Sequence, residues 1–247
     1  VLGGMVLFSF WREAEPHPDR VIACDVGQGD AVVLQTSKNA TVLIDGGPGD
    51  AVLACLGQAM PFWDRTIEMI ILTHPHADHM TGLNIVRERY KIGMDLSGDS
   101  LILSVGQQWQ MDQTRLTLLA NEQDLGKNDI NDQSLVFLWE TAYGRALLMG
   151  DASVHVEDRI AARDPDLEID VLKVGHHGSK TSTSDALLDA VKPKFALISA
   201  GLRNRYGHPH QAVLDRLRDH KVEAWLTRDD GTIVCDFATS IICRADR

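Results

Sequence analysis

Residues 73–79 read Thr-His-Pro-His-Ala-Asp-His, directly after the apolar run Met-Ile-Ile-Leu. Such a run is typical of a buried β-strand, so these polar residues lie where a strand ends. Because alternate side chains of an extended segment point the same way, we expect His74 and His76 to bind one metal ion. Asp78 and His79, beyond the turn, are expected to bind a second ion.

Histidines are common, and a short motif can arise by chance. The distribution of the ten histidines argues against chance, because most of them are grouped and each group follows a strand-like run. Three groups contain the residues His74, His76, His79, His176, His177, His208 and His210. Scattered structural histidines would not be grouped in this way, and we interpret His17, His155 and His220 as ordinary surface residues.

The bulk composition is that of a globular protein of 247 residues, with 44% hydrophobic and 24% charged residues. No linker, repeat or low-complexity segment divides the chain, so we expect one domain at 21–247, preceded by a tail at 1–20. The apolar stretch 1–11 is shorter than the roughly twenty residues that span a bilayer. It is interpreted either as the end of a longer membrane segment or as an N-terminal strand.

The net charge of −11 disfavours a protein that binds nucleic acid over a broad surface, because such proteins usually carry a basic patch. Metal ions held by aspartates would nevertheless attract phosphate locally. The four cysteines lack the CxxC spacing of metal sites. Cys235 and Cys243 are close enough in sequence to meet across a terminal hairpin, but the sequence leaves their pairing and the redox compartment open.

The hydrophobic pattern predicts many short strands with intervening helices. Strands are expected at 21–24, 31–35, 41–44, 68–72, 101–105, 116–119, 134–139, 146–149, 169–174, 195–199, 223–226, 232–235 and 240–243. Helices are expected at 50–60, 80–90, 153–163, 183–191 and 210–220. We therefore predict an α/β (α+β) fold in which two β-sheets pack face to face and are flanked by helices.

Further polar residues follow other predicted strands, and strand ends are expected to converge on one cleft. Asp151 follows an apolar strand and a glycine, where it would bridge two ions or, alternatively, cap the next helix. Asp45 would hold a metal-bound histidine by a hydrogen bond, or simply form a turn. One of His176 and His177 is expected to bind metal while the other supports it, and the spacing does not decide between them.

Three residues near these clusters are candidates for contact with the substrate. Ser179 and Lys180 are placed to meet an anion. His208, at a predicted helix start, would donate a proton to a leaving oxygen or hold a substrate phosphate, while His210 would cap the helix or face solvent. The sequence contains no Gly-x-Ser-x-Gly elbow, Walker motif or dinucleotide fingerprint, so metal-dependent hydrolysis is the remaining interpretation.

The pattern His74-x-His76-x-Asp78-His79, with Asp151 and His177, resembles the metallo-β-lactamase superfamily. Additional segments resemble the C-terminal, nuclease-like domain of the ComEC competence-protein family; they are 25–30, 131–136, 148–151, 173–179 and 207–209. The resemblance implies an αββα sandwich with a dinuclear site along one edge, and it favours His177 over His176. The implied metal ligands are His74, His76, Asp78, His79, Asp151 and His177.

The family resemblance also implies a biological setting. A ComEC-like domain would be attached to a membrane channel for DNA uptake and would lie on the extracytoplasmic face of the cell membrane. The stretch 1–11 would then be the end of the last membrane segment. If the protein is not ComEC-like, we expect it to be soluble. Many relatives supply another histidine from the loop at 128–132, which here contains only Asn, Asp and Ile. A more oxygen-rich first site favours manganese over zinc.

Three hypotheses follow. The first is a dinuclear phosphodiesterase that degrades single-stranded DNA, with Asp78, His208, Lys180 and Ser179 as catalytic residues. The second is a metallo-hydrolase of a small molecule such as a lactone, thioester or β-lactam. The third is a non-catalytic module that binds DNA or a protein partner. The sequence leaves the oligomeric state open.

Overall fold

The computed structural model of the protein describes residues 17–98, 103–121 and 131–246. Fourteen strands occur in this part of the chain: β1 (Asp19–Ala23), β2 (Val32–Gln35), β3 (Thr41–Ile44), β4 (Thr66–Ile71), β5 (Lys91–Leu96), β6 (Gln108–Met111), β7 (Thr114–Ala120), β8 (Val136–Glu140), β9 (Arg145–Leu148), β10 (Val171–Lys173), β11 (Phe195–Ile198), β12 (Glu223–Leu226), β13 (Thr232–Phe237) and β14 (Ile241–Asp246). The helices are α1 (Ala51–Ala59), α2 (Ala77–Arg89), α3 (Val154–Arg163), α4 (Asp185–Val191), α5 (Gln211–Asp219) and α6 (Thr227–Asp230).

The strands form two seven-stranded mixed sheets. The first has the order β14-β13-β1-β2-β3-β4-β5, and the second has the order β12-β11-β10-β9-β8-β7-β6. Alternate residues of a strand face opposite sides of its sheet. In β8, Phe137 and Trp139 point into the core between the sheets, whereas Val136 and Leu138 point toward the helices. Burial on both faces explains why these strands read as continuous apolar runs.

The helices cover the outer faces of both sheets. Leu56 of α1 and Leu83 of α2 pack on the outer face of the first sheet. Ile160 of α3, Leu188 of α4 and Leu217 of α5 pack on the outer face of the second. The resulting αββα sandwich confirms the predicted fold class.

The carboxyl ends of several strands lie along one edge of the sandwich. β3 and β4 are parallel in the first sheet, and β9, β10, β11 and β12 are mutually parallel in the second. Because parallel strands end at the same edge of a sheet, the loops that follow β3, β4, β9, β10 and β11 converge there. The candidate site residues come from these loops.

The structure differs from the predicted strands at three places. β5 and β6 were not predicted, because they are edge strands with many exposed residues and lack an apolar run. Residues 101–102 of the strand predicted at 101–105 lie outside the described residues, and residues 103–105 are not a strand. The apolar stretch 1–11 also lies outside them. Among the helices that the structure describes, none has the length and apolar composition that a bilayer crossing requires.

Two disulfides connect the four cysteines. Cys235 and Cys243 face each other across β13 and β14, as the predicted hairpin allows. Cys24, directly after β1, is bonded to Cys55 of α1, a pairing that the sequence did not reveal. The second bond closes a loop with a sequence separation of 31 residues and fastens α1 to the first sheet.

We expect loss of the Cys24–Cys55 disulfide to lower the free energy of unfolding by about 3 kcal/mol, because an open chain gains conformational entropy when it unfolds. The Cys24→Ala/Cys55→Ala variant can be compared with the wild type by urea denaturation. The Cys235→Ala/Cys243→Ala variant is the matched control, and its shorter loop predicts a smaller loss. Equal stability of the wild type and the Cys24→Ala/Cys55→Ala variant would contradict the expectation.

Candidate metal centre

The histidine motif joins β4 to α2. His76 is the N-cap residue of α2, so Asp78 and His79 lie in the first helical turn. A Cβ atom at Gly82 would overlap the carbonyl oxygen of Gly46, so the glycine lets α2 approach the turn that follows β3. This close approach brings His79 against that turn and buries it completely.

Asp45 fixes the orientation of His79. One carboxylate oxygen, Oδ2, lies 2.7 Å from His79 Nδ1 and accepts a hydrogen bond from Thr73 Oγ1 at 2.8 Å. The other, Oδ1, accepts from the backbone N–H of Thr73. When Nδ1–H of His79 donates to Asp45, the Nε2 lone pair points into the cleft, as a metal ligand requires. The predicted contact of Asp45 with a histidine is confirmed.

The charges around His79 also favour a bound cation in the cleft. Burial lowers the pKa of His79, but the carboxylates of Asp45 and Asp151 outweigh burial and hold that pKa well above its usual range. Burial and the neighbouring His79 lower the pKa of His74 to about 3. Because imidazole binds metal in its neutral form, metal binding at His79 must release a proton.

We expect Asp45→Asn to weaken metal binding by about 10- to 100-fold, because the amide cannot hold His79 in the same tautomer. Competition with a chromogenic chelator measures this affinity. The matched control is Asp50→Asn, since Asp50 is exposed and its side chain makes no capping hydrogen bond. Equal affinities for the Asp45→Asn variant and the wild type would show that Asp45 does not tune the site.

Asp151 is delivered by the turn after β9. Gly150 has a left-handed φ of 53°, and a Cβ atom there would lie 3.1 Å from Thr73 and 3.2 Å from Ser134. Ser134 Oγ accepts a hydrogen bond from the Asp151 backbone N–H at 3.0 Å. The N-cap of α3 is Ser153, whose hydroxyl accepts from the backbone N–H of His155. The alternative interpretation of Asp151 as a helix cap is therefore wrong.

The Asp151 carboxylate lies among three buried imidazoles. Its Oδ1 is 3.3 Å from His79 Nε2 and 3.6 Å from His177 Nε2, and its Oδ2 is 3.7 Å from His74 Nε2. Burial raises the pKa of Asp151, but His177, His79 and His74 outweigh it and hold that pKa well below its usual range. The carboxylate therefore faces His74 and His79, one from each half of the motif.

His177 comes from the turn after β10. His176 and His177 both have left-handed backbone conformations, with φ values of 48° and 53°, inside the short 3-10 helix Gly175–Gly178. Non-glycine residues rarely adopt such values, and they persist where the surroundings enforce them. His177 Nδ1 lies 3.1 Å from the carbonyl oxygen of Ser199, so its Nε2 faces Asp151 and Asp78.

A buried ion pair lies next to His177, and the sequence analysis did not predict this pair. Lys173 Nζ donates to Asp30 Oδ2 at 2.7 Å, and Asp30 Oδ1 lies 3.5 Å from His177 Nδ1. Burial lowers the pKa of His177, but Asp151 and Asp30 outweigh burial and raise it to about 9. A lysine inside the apolar run 171–174 was the available signal, because a buried charge needs a partner.

The donor atoms fit two cations. Within the described residues, buried side-chain atoms without a hydrogen-bond partner include His74 Nε2, His79 Nε2, His177 Nε2 and Asp151 Oδ1. Buried polar atoms are normally paired, so several orphan ligand atoms in one cleft fit a metal centre. Among the described residues, four donor sets have ligand atoms within 4.8 Å of one another, and two of them contain only cleft residues of the predicted ligand set: His74, His76 and Asp151, and Asp78, His79 and His177. This grouping matches the division expected from the motif.

The three predicted substrate residues lie at different depths. His208 is half-buried and stacks on His177 with ring centroids 6.4 Å apart. Burial and the neighbouring His177 lower the pKa of His208 to about 4. Lys180 is exposed. Ser179 is buried, and its Oγ lies 3.1 Å from Thr181 Oγ1. The Ser179 hydroxyl therefore forms a hydrogen bond within the turn to which it belongs. His210 caps α5 by accepting from the backbone N–H of Ala212.

Two packed sheets flanked by helices, with histidine and aspartate donor sets at one edge, define a metalloprotein of the αββα class. A sequence profile described as the metallo-beta-lactamase superfamily matches residues 24–93. Over these residues the chain is similar to the metallo-β-lactamase superfamily, and most of its length is similar to part of ComEC-type competence proteins.

Two curated relatives show the extent of this similarity. The chain is 28% identical over 254 residues to ComE operon protein 3 of Bacillus subtilis, covering 85% of this chain and 32% of that protein. It is 31% identical over 240 residues to Competence protein ComA of Neisseria gonorrhoeae, covering 94% of this chain and 34% of that protein. The chain therefore spans about a third of the length of the curated relatives it matches.

A solved structure supports the fold independently. The metallo-beta-lactamase fold protein YhfI from Bacillus subtilis superposes with a TM-score of 0.56, covering 87% of this chain and 98% of that one at 14% sequence identity. At this identity the match shows the fold alone.

Proposed function

We propose that this domain is a two-metal phosphodiesterase that degrades single-stranded DNA during DNA uptake. The observation that carries the proposal is the position of Asp151, whose two carboxylate oxygens face different imidazoles within 3.7 Å. A carboxylate between two donor sets is suited to bridge two ions. The similarity to competence proteins supports the DNA substrate.

In the proposed reaction, the residues of the site would support the metal ions or bind the phosphate. When bound, paired divalent ions lower the pKa of water and stabilise the charge that develops on a phosphoryl group. Asp45 and Ser199 hold His79 and His177 in the orientation that metal binding needs. Asp78 and His76 are only partly buried, so a substrate phosphate enters from their side. His208 would donate an N–H to that phosphate, and Lys180 would add positive charge at the rim.

The metal would be manganese or zinc. Each of the two cleft donor sets contains two imidazoles and one carboxylate, which suits several divalent transition metals. The loop before β8 supplies no histidine: its described part, the 3-10 helix Asn131–Gln133, offers only amide and carboxylate groups. The two imidazoles of each set suit zinc, and oxygen ligands in place of the missing histidine would favour manganese.

The domain would face the outside of the cytoplasm, joined to a membrane channel. Two disulfides support this location, because disulfides persist in oxidising compartments and are rare in the cytosol. The similarity to ComEC-type competence proteins supports attachment to a channel.

Metal analysis joined to a nuclease assay tests the proposal. The purified domain is analysed for bound metal and then incubated with labelled single-stranded DNA plus zinc, manganese or magnesium in turn. We expect two ions per chain and strand cleavage with manganese. Nitrocefin and a lactone are included in parallel, and their hydrolysis without cleavage of DNA would favour the small-molecule alternative. DNA binding without turnover would favour the non-catalytic alternative.

A further inference from the structure

A structured loop lies beside the metal centre, between β11 and α5. This rim loop comprises residues 201–208, Gly-Leu-Arg-Asn-Arg-Tyr-Gly-His. Asn204 holds the loop in shape, because its side chain donates to the carbonyl oxygens of Gly201 and His208 and accepts from the His208 backbone N–H at 2.8 Å. Gly201 N–H donates to the side chain of Gln28, which connects the loop to the first sheet.

The rim loop presents large apolar side chains to solvent. Leu202 is 72% exposed and Tyr206 is 69% exposed. One face of the Tyr206 ring stacks on His208, with centroids 5.6 Å apart and an interplanar angle of 25°. His208 in turn stacks on His177. Tyr206 is therefore two ring contacts from a candidate metal ligand, and most of its surface is open.

The rim loop is also positively charged in an acidic protein. It contains Arg203 and Arg205 and no carboxylate, whereas the whole chain has a net charge of −11. Both arginines are exposed, and neither forms a salt bridge with any residue in the described part of the chain. Lys180 lies on the adjacent turn, which His210 joins by donating its backbone N–H to Gly178. Because no carboxylate within the described residues neutralises these cations, the loop is able to attract an anion.

We propose that the rim loop is the strand-binding element of this enzyme. Tyr206 stacks on a base of the nucleotide next to the phosphate held at the metal centre, and Arg203 and Arg205 contact the flanking phosphates. This inference rests on the proposed phosphodiesterase function and adds the features that select a polymer over a small diester. An aromatic platform beside backbone-binding cations is how single strands are bound without sequence preference.

Two strands of equal length, one with bases and one abasic, test the role of Tyr206. We expect Tyr206→Ala to raise KM for a short fluorescent oligothymidylate about tenfold, as loss of one base stack predicts. For the abasic strand, which has no base to stack, the rise in KM is expected to be much smaller. Tyr206→Phe retains the ring and stays near the wild type. Tyr143→Ala is the matched control, because Tyr143 is an exposed tyrosine in the β8–β9 turn, at the opposite end of β9 from Asp151.

Salt dependence tests the arginines. We expect Arg203→Ala and Arg205→Ala each to flatten the dependence of log affinity on log salt by roughly 0.7, the value for one phosphate contact with a single strand. Lys221→Ala should leave the slope unchanged, because Lys221 is an exposed cation two residues before β12, at the end of that strand away from the site. Fluorescence anisotropy with the same oligothymidylate gives the affinity whether or not the strand is cut.

The outcomes separate the two proposals. An oligothymidylate that binds through Tyr206 but is never cleaved would overturn the phosphodiesterase function and leave the binding element standing. Cleavage with equal KM in the wild type and Tyr206→Ala would overturn the binding element and leave the function standing. Base stacking would also be contradicted if Tyr206→Ala weakened the binding of an abasic strand as much as it weakens the binding of the oligothymidylate.

Discussion

Asp151→Ala is expected to lower metal-dependent hydrolysis by about 10³-fold, or roughly 4 kcal/mol of transition-state stabilisation. The physical reason is that alanine removes Asp151 from the donor set of His74 and His76 and also removes the carboxylate that faces His79 and His177 of the other set. It also leaves His79 and His177 close together without the negative charge that now separates them, and their mutual repulsion disfavours a second bound cation.

Bound metal provides a measurement that does not depend on the substrate. We expect the content to fall from two ions per chain to one or fewer in Asp151→Ala, by elemental analysis after dialysis. Asp158→Ala is the matched control, since Asp158 is exposed on α3 and forms no salt bridge with the residues that the structure describes. Circular dichroism verifies folding. A folded Asp151→Ala protein that retains two ions would contradict the bridging role.

The sequence predicted the central strands but missed two of the four edge strands, β5 and β6. Central strands such as β4 and β8 are buried on both faces, so their apolar runs are visible without knowledge of their neighbours. β5 and β6 each border only one strand and expose much of their surface. Their pairing depends on a partner strand already in place, and no local pattern records that dependence.

The candidate ligands were predictable for a similar reason. His74 and Asp151 follow apolar strands, and parallel strands bring their carboxyl ends to one edge whatever lies between them. The support beneath them was not predictable in the same way. Lys173 and Asp30 are 143 residues apart, and their pairing exists only because the two sheets pack face to face. Only a charged residue in an apolar strand hinted at it.

Lys173→Met is expected to lower the free energy of unfolding by about 4 kcal/mol, because it leaves a buried carboxylate without its counter-ion. Lys173 is 1% exposed, and it donates to Asp30 Oδ2 at 2.7 Å and to the carbonyl oxygen of Val174 at 3.0 Å. Urea denaturation of the metal-free protein at neutral pH measures the change. Lys194→Met is the matched control, since Lys194 forms an exposed pair with Asp170, and an exposed pair contributes less than about 1 kcal/mol.

The pH dependence of the free energy of unfolding tests the same ion pair. Burial raises the pKa of Asp30, but Lys173 and His177 outweigh burial and hold that pKa well below its usual range. The carboxylate therefore contributes stability that is present above pH of about 4, its unfolded value, and that is lost as the pH falls further. In Lys173→Met the raising effect of burial is less opposed, so the loss on acidification begins at a higher pH than in the wild type.

A double variant separates the stability of the fold from the orientation of His177. Replacing both charges, as in Asp30→Leu/Lys173→Met, is expected to restore much of the stability lost in Lys173→Met, because no unpaired charge stays buried. Metal affinity is not expected to recover, since Asp30 also lies 3.5 Å from His177 Nδ1 and loss of such a partner weakens binding by about 10- to 100-fold. Recovery of both quantities together would show that the pair serves stability alone, and recovery of neither would mean that the fold requires these two charges.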